Sequence, residues 1–292
     1  MILITGATGH TGGLLLDELA KEQIELGLRC LVRKDSKNIE HIKKYKIELF
    51  YGDAANENDL CEAMKGVDTV VHIVNIRYSP IVVAAAGKMG VKRLILVHTT
   101  GMFSKYRSYS GEYKRIEDEI VNNCKVDYVI LRPSMIYGSV LDHNMHKLIN
   151  YIKTHRFMPV FGSGEALMQP VHARDLAKSI VIVIKNRKIR NKAYNITGAN
   201  VLSYRAILRI IAKRVNPSIK FINLPYWFSV LLGFTYNLAM RIIGRKAQLS
   251  VEQIRRLKED KNYSHEDAKI DFGYSPVTFE TGIEEEIKSM GY

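Results

Sequence analysis

The stretch Met1-Ile2-Leu3-Ile4-Thr5-Gly6-Ala7-Thr8-Gly9-His10-Thr11-Gly12 decides the fold. Four apolar residues followed by a glycine-rich turn predict a first strand that breaks sharply into a helix. At such a junction Gly6 would allow a tight turn, Gly9 would let the backbone approach a pyrophosphate, and Gly12 would let the helix pack against the strand. The N–H groups and the dipole at the start of the helix would then hold the negative charge. No Gly-Lys-Ser/Thr closes the turn, so the P-loop ATPases are excluded.

Strand-like and helix-like segments alternate along the first 130 or so residues. Apolar strands separated by helices are typical of a parallel, doubly wound sheet with right-handed crossovers, which binds ligands at the carboxyl ends of its strands. The predicted strands are Ile2–Thr5, Leu28–Val32, Ile47–Tyr51, Thr69–Val74, Leu94–His98 and Tyr128–Leu131. The predicted fold class is therefore α/β, a Rossmann-like sheet with a smaller C-terminal α/β substrate lobe.

The alternation becomes less regular after Leu131. Proline disfavours a helical conformation at Arg132 and cannot donate to a sheet, so Arg132–Gly138 is predicted to be a loop. We therefore divide the chain into a nucleotide-binding domain, residues 1–135, and a substrate-binding lobe, residues 136–292. Segments of the second part, such as 165–197, are expected to return to the first domain.

Composition indicates a large, reduced, globular protein. With 292 residues and 47% hydrophobic content, the chain can bury a large core. Cys30, Cys61 and Cys124 lie far apart and have neither disulfide nor metal-ligand spacing, which favours a cytoplasmic location. The first strand lies at the N-terminus, so no cleavable signal peptide is expected. His143 and His146 have helical i, i+3 spacing, but no third ligand is apparent, so no metal site is predicted.

The formal net charge of +13 is concentrated in one region. No acidic residue occurs between Asp175 and Glu252. A field of one sign attracts nucleotides, anionic lipids or nucleic acid, and nucleic acid is the weakest of these because no finger, helix-turn-helix or basic–aromatic pattern is present. The cations of this region are Lys178, Lys185, Arg187, Lys188, Arg190, Lys192, Arg205, Arg209, Lys213, Arg214, Lys220, Arg241, Arg245 and Lys246.

A nearly uncharged segment, residues 221–246, lies within this basic region and ends at Arg241, Arg245 and Lys246. A spanning helix needs about 20 apolar residues, and Pro225 and Asn237 leave the run short. Two interpretations remain open: a lid helix over the substrate lobe, or a helix lying in the interface of an anionic membrane. The second would place the cytoplasmic protein at a membrane surface.

The end of the second predicted strand bears on the choice of cofactor. NAD-binding folds carry a carboxylate there for the ribose hydroxyls, whereas this strand ends in Arg33 and Lys34. The planar fork of Arg33 suits a 2′-phosphate, so the sequence predicts NADP(H) rather than NAD(H), although Asp35 is close enough to keep NAD(H) open. Solvated surface charge is the alternative role for this pair. Asp53 would lie near the adenine amino group.

Taken together, these residues resemble the short-chain dehydrogenase/reductase superfamily, in its extended branch of sugar-nucleotide epimerases, dehydratases and reductases. The matching stretches are residues 5–12, 52–53, 67–72, 131–138, 170–177, 193–198 and 272–276. The resemblance covers nearly the whole chain, but it does not specify a substrate. It implies cofactor contacts at Gly6, Thr8, Gly9, His10, Thr11, Gly12, Arg33, Lys34, Asp53, His72, Val74, Lys114 and Pro133.

The resemblance also implies a catalytic group. The family uses a Tyr to exchange a proton with the substrate oxygen, a Lys four residues later that lowers the pKa of that Tyr, and a Ser or Thr after the fifth strand. Thr100 fits the last position, with Thr99 as second choice, and Lys114 is the natural lysine. Ser110 stands four residues before it. Either Tyr109 reaches in, or Ser110 replaces the tyrosine, or the acid/base role is lost.

Two functional hypotheses follow. The first is an NADP(H)-dependent oxidoreductase or epimerase that acts on a nucleotide-linked sugar or another small carbonyl substrate. The second is a non-catalytic NADP(H)-binding redox sensor or assembly subunit, suggested by Ser110 in the tyrosine position. Contact with an anionic membrane and a homodimer formed through helices near residues 80–90 and 110–123 are further expectations. No nucleic-acid partner is predicted.

Overall fold

A computed structural model describes residues 1–23, 27–142, 144–228, 243 and 251–292. Seven parallel strands form the central sheet in the order β11-β6-β5-β4-β1-β2-β3. Apolar runs occupy these strands because helices cover both faces of the sheet. The strands are β1 Ile2–Thr5, β2 Leu28–Val32, β3 Glu48–Tyr51, β4 Thr69–His72, β5 Arg93–Val97, β6 Asp127–Pro133 and β11 Lys192–Ile196.

The helices of the first part alternate with these strands, as doubly wound topology requires. One face of the sheet is covered by α1 and by α7, which pack against each other, and the other face by α3, α4 and α5. These helices are α1 His10–Lys21, α2 Ile39–Ile42, α3 Glu57–Ala63, α4 Ser79–Met89, α5 Ser110–Asn123 and α7 Ala173–Lys185, with 3-10 helices at Ile76–Tyr78 and Thr100–Phe103. The predicted Rossmann-like fold class is confirmed.

The second part of the chain adds three two-stranded sheets and a separate apolar core. That core lies between α6, α8 and α11. The remaining elements are β7 Ile136–Tyr137, α6 Met145–Thr154, β8 Phe157–Phe161, β9 Leu167–Met168, β10 Val171–His172, β12 Leu202–Ser203, α8 Tyr204–Val215, β13 Lys220–Leu224, α9 Val251–Arg256, α10 Glu266–Phe272 and α11 Phe279–Ser289. Because β11 is an edge strand of the central sheet and α7 packs against α1 on one face of it, the chain returns to the first domain after residue 136.

Two segments differ from the sequence-based prediction. Within the predicted loop 132–138, residues 132–133 continue strand β6 and residues 136–137 form strand β7. Pro133 fits as the last residue of β6 because the following amide, Ser134 N, donates to Ile196 O of the neighbouring strand at 3.1 Å. Residues 221–224, the start of the apolar segment, form strand β13 beside β8. The other residues predicted as lid or membrane helix lie almost entirely outside the described ranges. No helix in the described part of the chain is long and apolar enough to cross a membrane.

Candidate functional site

A cleft of about 1230 Å³ runs along the carboxyl ends of the central strands and opens toward the second lobe. Both halves of the chain line it, from the glycine-rich turn at one end to residues 256–263 at the other. Of the residues predicted to bind or react, the cleft wall includes Gly6, Thr8, Gly9, His10, Thr11, Gly12, Arg33, Asp53, Val74 and Thr100.

The glycine-rich turn leaves a cradle that a side chain would fill. Gly6 has a φ of +82°, and a Cβ at Gly12 would lie 2.1 Å from the Gly6 carbonyl oxygen. Helix α1 therefore approaches strand β1 as closely as the sequence predicts. Its N-cap residue, Gly9, makes no side-chain capping bond, and no acidic residue occupies the first turn. This uncapped N-terminus suits a pyrophosphate.

Two polar residues extend the cradle beyond the tip of strand β2. Ser36 Oγ donates to Thr8 Oγ1 at 2.9 Å, and Asn38 Nδ2 donates to the Thr8 carbonyl oxygen at 3.1 Å. Arg33 lies beside them with a side chain that is 65% exposed, and its Nε is 3.6 Å from Asp35 Oδ1. Such a weakly held guanidinium is free to turn toward a phosphate. Sequence reasoning missed Ser36 and Asn38, although a short polar run after a strand is a recognisable turn signal.

Four predicted cofactor residues do not line the cleft: Lys34, His72, Pro133 and Lys114, of which Lys114 is described below with its helix. Lys34 is exposed. His72 is fully buried and hydrogen-bonded to Thr5 Oγ1 at 2.8 Å, and burial lowers its pKa to about 4, so it joins strands β1 and β4 as a neutral side chain. The Pro133 carbonyl accepts a bond from Thr100 Oγ1 at 3.3 Å. His72 and Pro133 thus hold cleft-lining elements in place without lining the cleft themselves.

Helix α5 presents a different face from the one that the sequence predicts. Its buried residues are Tyr113, Glu117 and Ile120, at helical spacing. Lys114 follows Tyr113 by one residue, a rotation of about 100° around the axis, and it is exposed. It does not line the cleft. Lys114 is therefore not placed beside the cofactor, where the sequence predicts it. The inward face of the helix carries Tyr113, and Lys114, one residue later, points away from that face.

The two candidate hydroxyls of this helix also lie outside the cleft wall. Tyr109 is 50% exposed, and its ring lies under Arg77, 4.3 Å from the guanidinium carbon. Ser110 Oγ donates to the Arg107 carbonyl at 2.9 Å. Only Thr100 of the four predicted catalytic residues reaches the cleft, and Thr99 lies beside it, with Oγ1 accepting from Gly101 N.

Glu117 instead belongs to a buried network behind the cleft. His98 Nδ1 lies 2.7 Å from Glu117 Oε2, and Arg132 Nε donates to Glu117 Oε1 at 2.6 Å. Burial opposes ionisation of Glu117, but these two bonds outweigh it and hold its pKa below the ordinary value. Ser79 Oγ lies 3.2 Å from the other ring nitrogen of His98. The network ties helices α4 and α5 to the ends of strands β5 and β6.

The opposite wall is built by residues 256–263, which no local sequence pattern predicts. Glu259 Oε2 accepts from Ser104 Oγ at 2.6 Å, and its other oxygen accepts from Lys105 N. The Tyr263 ring packs on Phe103, with centroids 5.3 Å apart. These contacts hold the segment against the loop that follows Thr100.

Two arginines face each other in this part of the cleft. Burial lowers the pKa of Arg256, and the neighbouring charge of Arg107 adds to the effect. Both side chains line the cleft, together with Lys261 and the carboxylate of Glu259. Three cations and one anion leave a net positive charge, which favours an anionic substrate.

A carboxyl pair lies where the cleft meets the second lobe. Asp142 lines the cleft and accepts N–H groups at the start of α6, from Asn144 at 2.6 Å and from Met145 at 2.7 Å. Glu286 of α11 is fully buried and accepts from Gly138 N at 2.9 Å. Burial and then the adjacent Asp142 raise the pKa of Glu286 to about 9, so Glu286 is protonated at neutral pH.

Several other polar side chains of the second part of the chain have structural partners. Gln169 lines the cleft, and its side chain joins Gly198 to Tyr263. Asp175 Oδ2 accepts from Val277 N at 3.0 Å. His146 Nδ1 lies 3.5 Å from Asp142, whereas His143 lies outside the described residues. Among the residues whose placement is described, no cluster of His, Cys, Asp and Glu could hold a metal ion.

Comparison with known proteins agrees with this geometry. The NAD(P)H-binding family matches residues 6–149. Over 97% of its length the chain is 21% identical to N-acetyl-alpha-D-glucosaminyl-diphospho-ditrans,octacis-undecaprenol 4-epimerase of Escherichia coli O157:H7, covering 93% of that protein. It is 23% identical to the mitochondrial NADH dehydrogenase (ubiquinone) 1 alpha subcomplex subunit 9 of Arabidopsis thaliana, covering 76% of this chain and 60% of that one.

A solved structure shares the fold over almost the whole chain. It is UDP-glucuronic acid 4-epimerase from Bacillus cereus in complex with UDP-glucuronic acid and NAD, with a TM-score of 0.76, 18% identity and coverage of 99% and 98% of the two chains. Residues 6–149 thus match the NAD(P)H-binding family, and the whole chain has the fold of this epimerase.

Proposed function

We propose that this protein is an NAD(P)(H)-dependent oxidoreductase or epimerase that acts on a nucleotide-linked sugar and prefers NADP(H). The observation that carries the proposal is the single cleft that joins an uncapped helix N-terminus to a cationic substrate wall. A dinucleotide bound along the first part would supply or accept a hydride at its nicotinamide ring. The nucleotide diphosphate of the substrate would meet Arg107 and Arg256.

The preference for NADP(H) rests on the tip of strand β2. Arg33 and the pair Ser36 and Asn38 line the cleft where the adenosine ribose of a bound dinucleotide would lie. A 2′-phosphate would receive a charge-assisted bond from the guanidinium and could accept further bonds from the hydroxyl and the amide. Asp35, 3.6 Å from Arg33, competes for the same cation and limits the preference.

Within the reaction, Thr100 would hold the substrate oxygen. Its hydroxyl lines the cleft and at present donates to the Pro133 carbonyl at 3.3 Å. A substrate oxygen placed beside it would accept that proton in a stronger bond as negative charge develops during hydride transfer. The membrane-lipid substrate named for the E. coli relative makes a lipid-linked sugar one candidate within this class.

A non-catalytic cofactor-binding subunit is the second candidate. It is favoured by one observation: Tyr109, Ser110 and Lys114 all lie outside the cleft wall. The similarity to a subunit of a respiratory complex supports the same alternative. This candidate predicts cofactor affinity that changes binding to a partner protein, with no turnover of small molecules.

Two measurements test the proposal. NADPH and NADH titrations followed by fluorescence should give tighter NADPH binding, and Arg33→Ala should weaken NADPH by roughly 10- to 100-fold with little effect on NADH. Lys37→Ala, an exposed change of the same charge next to the site, is the matched control. Absorbance at the NADPH band is then followed with nucleotide 4-keto-sugars, quinones and simple ketones. Tight NADPH binding without oxidation of any of them would favour the non-catalytic alternative.

A further inference from the structure

We propose that Lys261 is the proton donor and acceptor at the substrate oxygen, in place of the tyrosine that other family members carry on the helix. The proposal rests on the proposed function, because it assigns a residue to that reaction. It begins from the position of helix α5, whose Tyr109, Ser110 and Lys114 do not line the cleft. Another wall residue must therefore exchange the proton.

Lys261 lies on the part of the cleft wall formed by residues 256–263. Its amide donates to Leu167 O at 2.6 Å, and it forms an isolated bridge with Met168, another cleft residue. Two residues earlier, Glu259 is bonded to Ser104 on the loop that follows Thr100. The chain around Lys261 is thus bound to strand β9 and to the loop that follows Thr100. These elements surround the end of the cleft where the substrate would react, called the reaction end.

The other ionisable groups of the cleft wall are less suited to this role. Arginines do not release a proton near neutral pH. Burial raises the pKa of Tyr204 to about 12 and raises that of Tyr263 as well. Glu259 is bonded to Ser104 and Lys105, and Asp142 to the start of α6. His10 and Asp53 belong to the cofactor end, which leaves Lys261 and Tyr78.

The Lys261 amine has the properties that the role requires. Within the described residues it forms no hydrogen bond and no ion pair, so it is available to a ligand. Burial first, and then the charge of Arg256, lower its pKa to about 8 against the opposing effect of Glu259. Arg107 faces Arg256 from the opposite loop. A donor works best when its pKa is close to the working pH, because both protonation states are then populated.

The proton step balances with the hydride step. During reduction, the substrate carbonyl carbon gains a hydride from the reduced nicotinamide, which is oxidised, and the carbonyl oxygen takes a proton from the Lys261 ammonium. The lysine is left as a neutral amine and regains a proton from water. Oxidation of an alcohol runs the same transfers in reverse, with the neutral amine accepting the hydroxyl proton.

Two substitutions separate proton transfer from anion binding. Lys261→Met removes both, whereas Lys261→Arg keeps the charge but cannot release a proton at neutral pH. With a 4-keto-sugar nucleotide as substrate, both variants should lower kcat by about 10²- to 10⁴-fold, and Lys261→Arg should leave KM and NADPH affinity little changed. Lys258→Met, an exposed neighbour in the same segment, is the control and should keep wild-type kcat. Tyr78→Phe is measured beside them.

The outcomes are distinct. If Lys261→Arg keeps kcat and Lys261→Met raises only KM, the lysine binds the substrate anion and the proposal is overturned. Loss of kcat in Tyr78→Phe with full kcat in Lys261→Met also overturns it, and leaves the proposed function standing. If the wild-type protein binds NADPH but turns over no carbonyl compound, the proposed function fails and this proposal fails with it.

A second readout does not depend on turnover. Competitive labelling with acetic anhydride, followed by mass spectrometry, reports the pH at which each lysine becomes reactive. Lys261 should react with a midpoint near pH 8, whereas Lys43, whose pKa the hydrogen bond and charge of Glu40 raise, should require a more alkaline pH. Equal midpoints for the two would contradict the assignment.

Discussion

Ser104 Oγ donates to Glu259 Oε2 at 2.6 Å, joining two residues that are 155 positions apart in the sequence. The bond connects the loop after strand β5 to the segment that carries Lys261. Both side chains are almost fully buried. The two walls at the reaction end of the cleft are therefore held in a fixed relation by a charge-assisted hydrogen bond.

Removing this bond should loosen the cleft. Ser104→Ala leaves a buried Glu259 oxygen without its donor, which costs about 1–3 kcal/mol. We expect a lower Tm and a several-fold loss of kcat, measured by thermal unfolding and by NADPH oxidation. Ser108→Ala, an exposed change on the same loop, is the control. Unchanged values in both assays would show that the bond does not position the segment.

Adding a side chain at the start of helix α1 should weaken cofactor binding at Gly12 and leave it unchanged at Gly13. The added Cβ in Gly12→Ala would lie 2.1 Å from a backbone oxygen, so helix α1 must move away from strand β1. Such overpacking costs about 1–3 kcal/mol and displaces the helix N-terminus. In Gly13→Ala the nearest atom, in His41, is 3.8 Å away. NADPH titration should show at least a tenfold weakening for the first variant only, and equal affinities would argue against the cradle.

Lys114 provides a direct comparison between the sequence-based expectation and the structure. The family resemblance predicts that the Lys114→Met variant is inactive. The exposed position of Lys114 outside the cleft wall predicts instead a kcat close to that of the wild type. Steady-state kinetics decides between these two predictions, with a substrate found among the 4-keto-sugars, quinones and simple ketones. A loss of kcat above tenfold would show that helix α5 presents the other face during turnover.

Stability should depend on pH through Glu286. Its pKa is raised to about 9 in the folded protein, so the folded state binds a proton that the unfolded chain releases above its ordinary pKa. The contribution of this proton to the free energy of unfolding is therefore fully present at low pH. It is lost as the pH rises toward 9, by at most about 1.4 kcal/mol per pH unit. Asp142, with a lowered pKa, acts only in a more acidic range.

Glu286→Gln should remove this dependence. The amide oxygen can accept from Gly138 N, as Glu286 Oε2 does at 2.9 Å, and the amide nitrogen can donate to Asp142. Thermal unfolding at pH 6 and pH 8.5 should show a smaller fall in Tm for this variant than for the wild type. Glu284→Gln, on the exposed side of the same helix, should behave like the wild type. A parallel fall in all three proteins would contradict the assignment.

The nucleotide-binding half of the molecule could be predicted from the sequence because its signals are local. The junction at residues 1–12 and the five apolar runs that follow predict the ends of the strands to within one residue, except where β4 ends two residues early and β6 two residues late. A glycine's conformational role depends on its immediate neighbours, so the local pattern predicts the tight turn at Gly6 and the close approach of helix and strand at Gly12.

The reaction end of the cleft could not be predicted in the same way. Residues 256–263 reach Phe103 and Ser104 through long-range contacts, and nothing in their own sequence points to a cleft. The orientation of α5 depends on which residue meets Met102 and Ile76. Tyr113 fills that place, which turns Lys114 outward by one helical position. A spacing motif could not reveal that rotation.

Helix α7 and strand β11 have a consequence for how the protein unfolds. They come from the second half of the chain, yet β11 pairs with β6 and α7 packs on α1. Opening either lobe therefore removes packing partners from the other, so their stabilities are coupled. Although one lobe is proposed to bind the cofactor and the other the substrate, heating should unfold both lobes in one cooperative transition. Calorimetry should then show a single peak and not two.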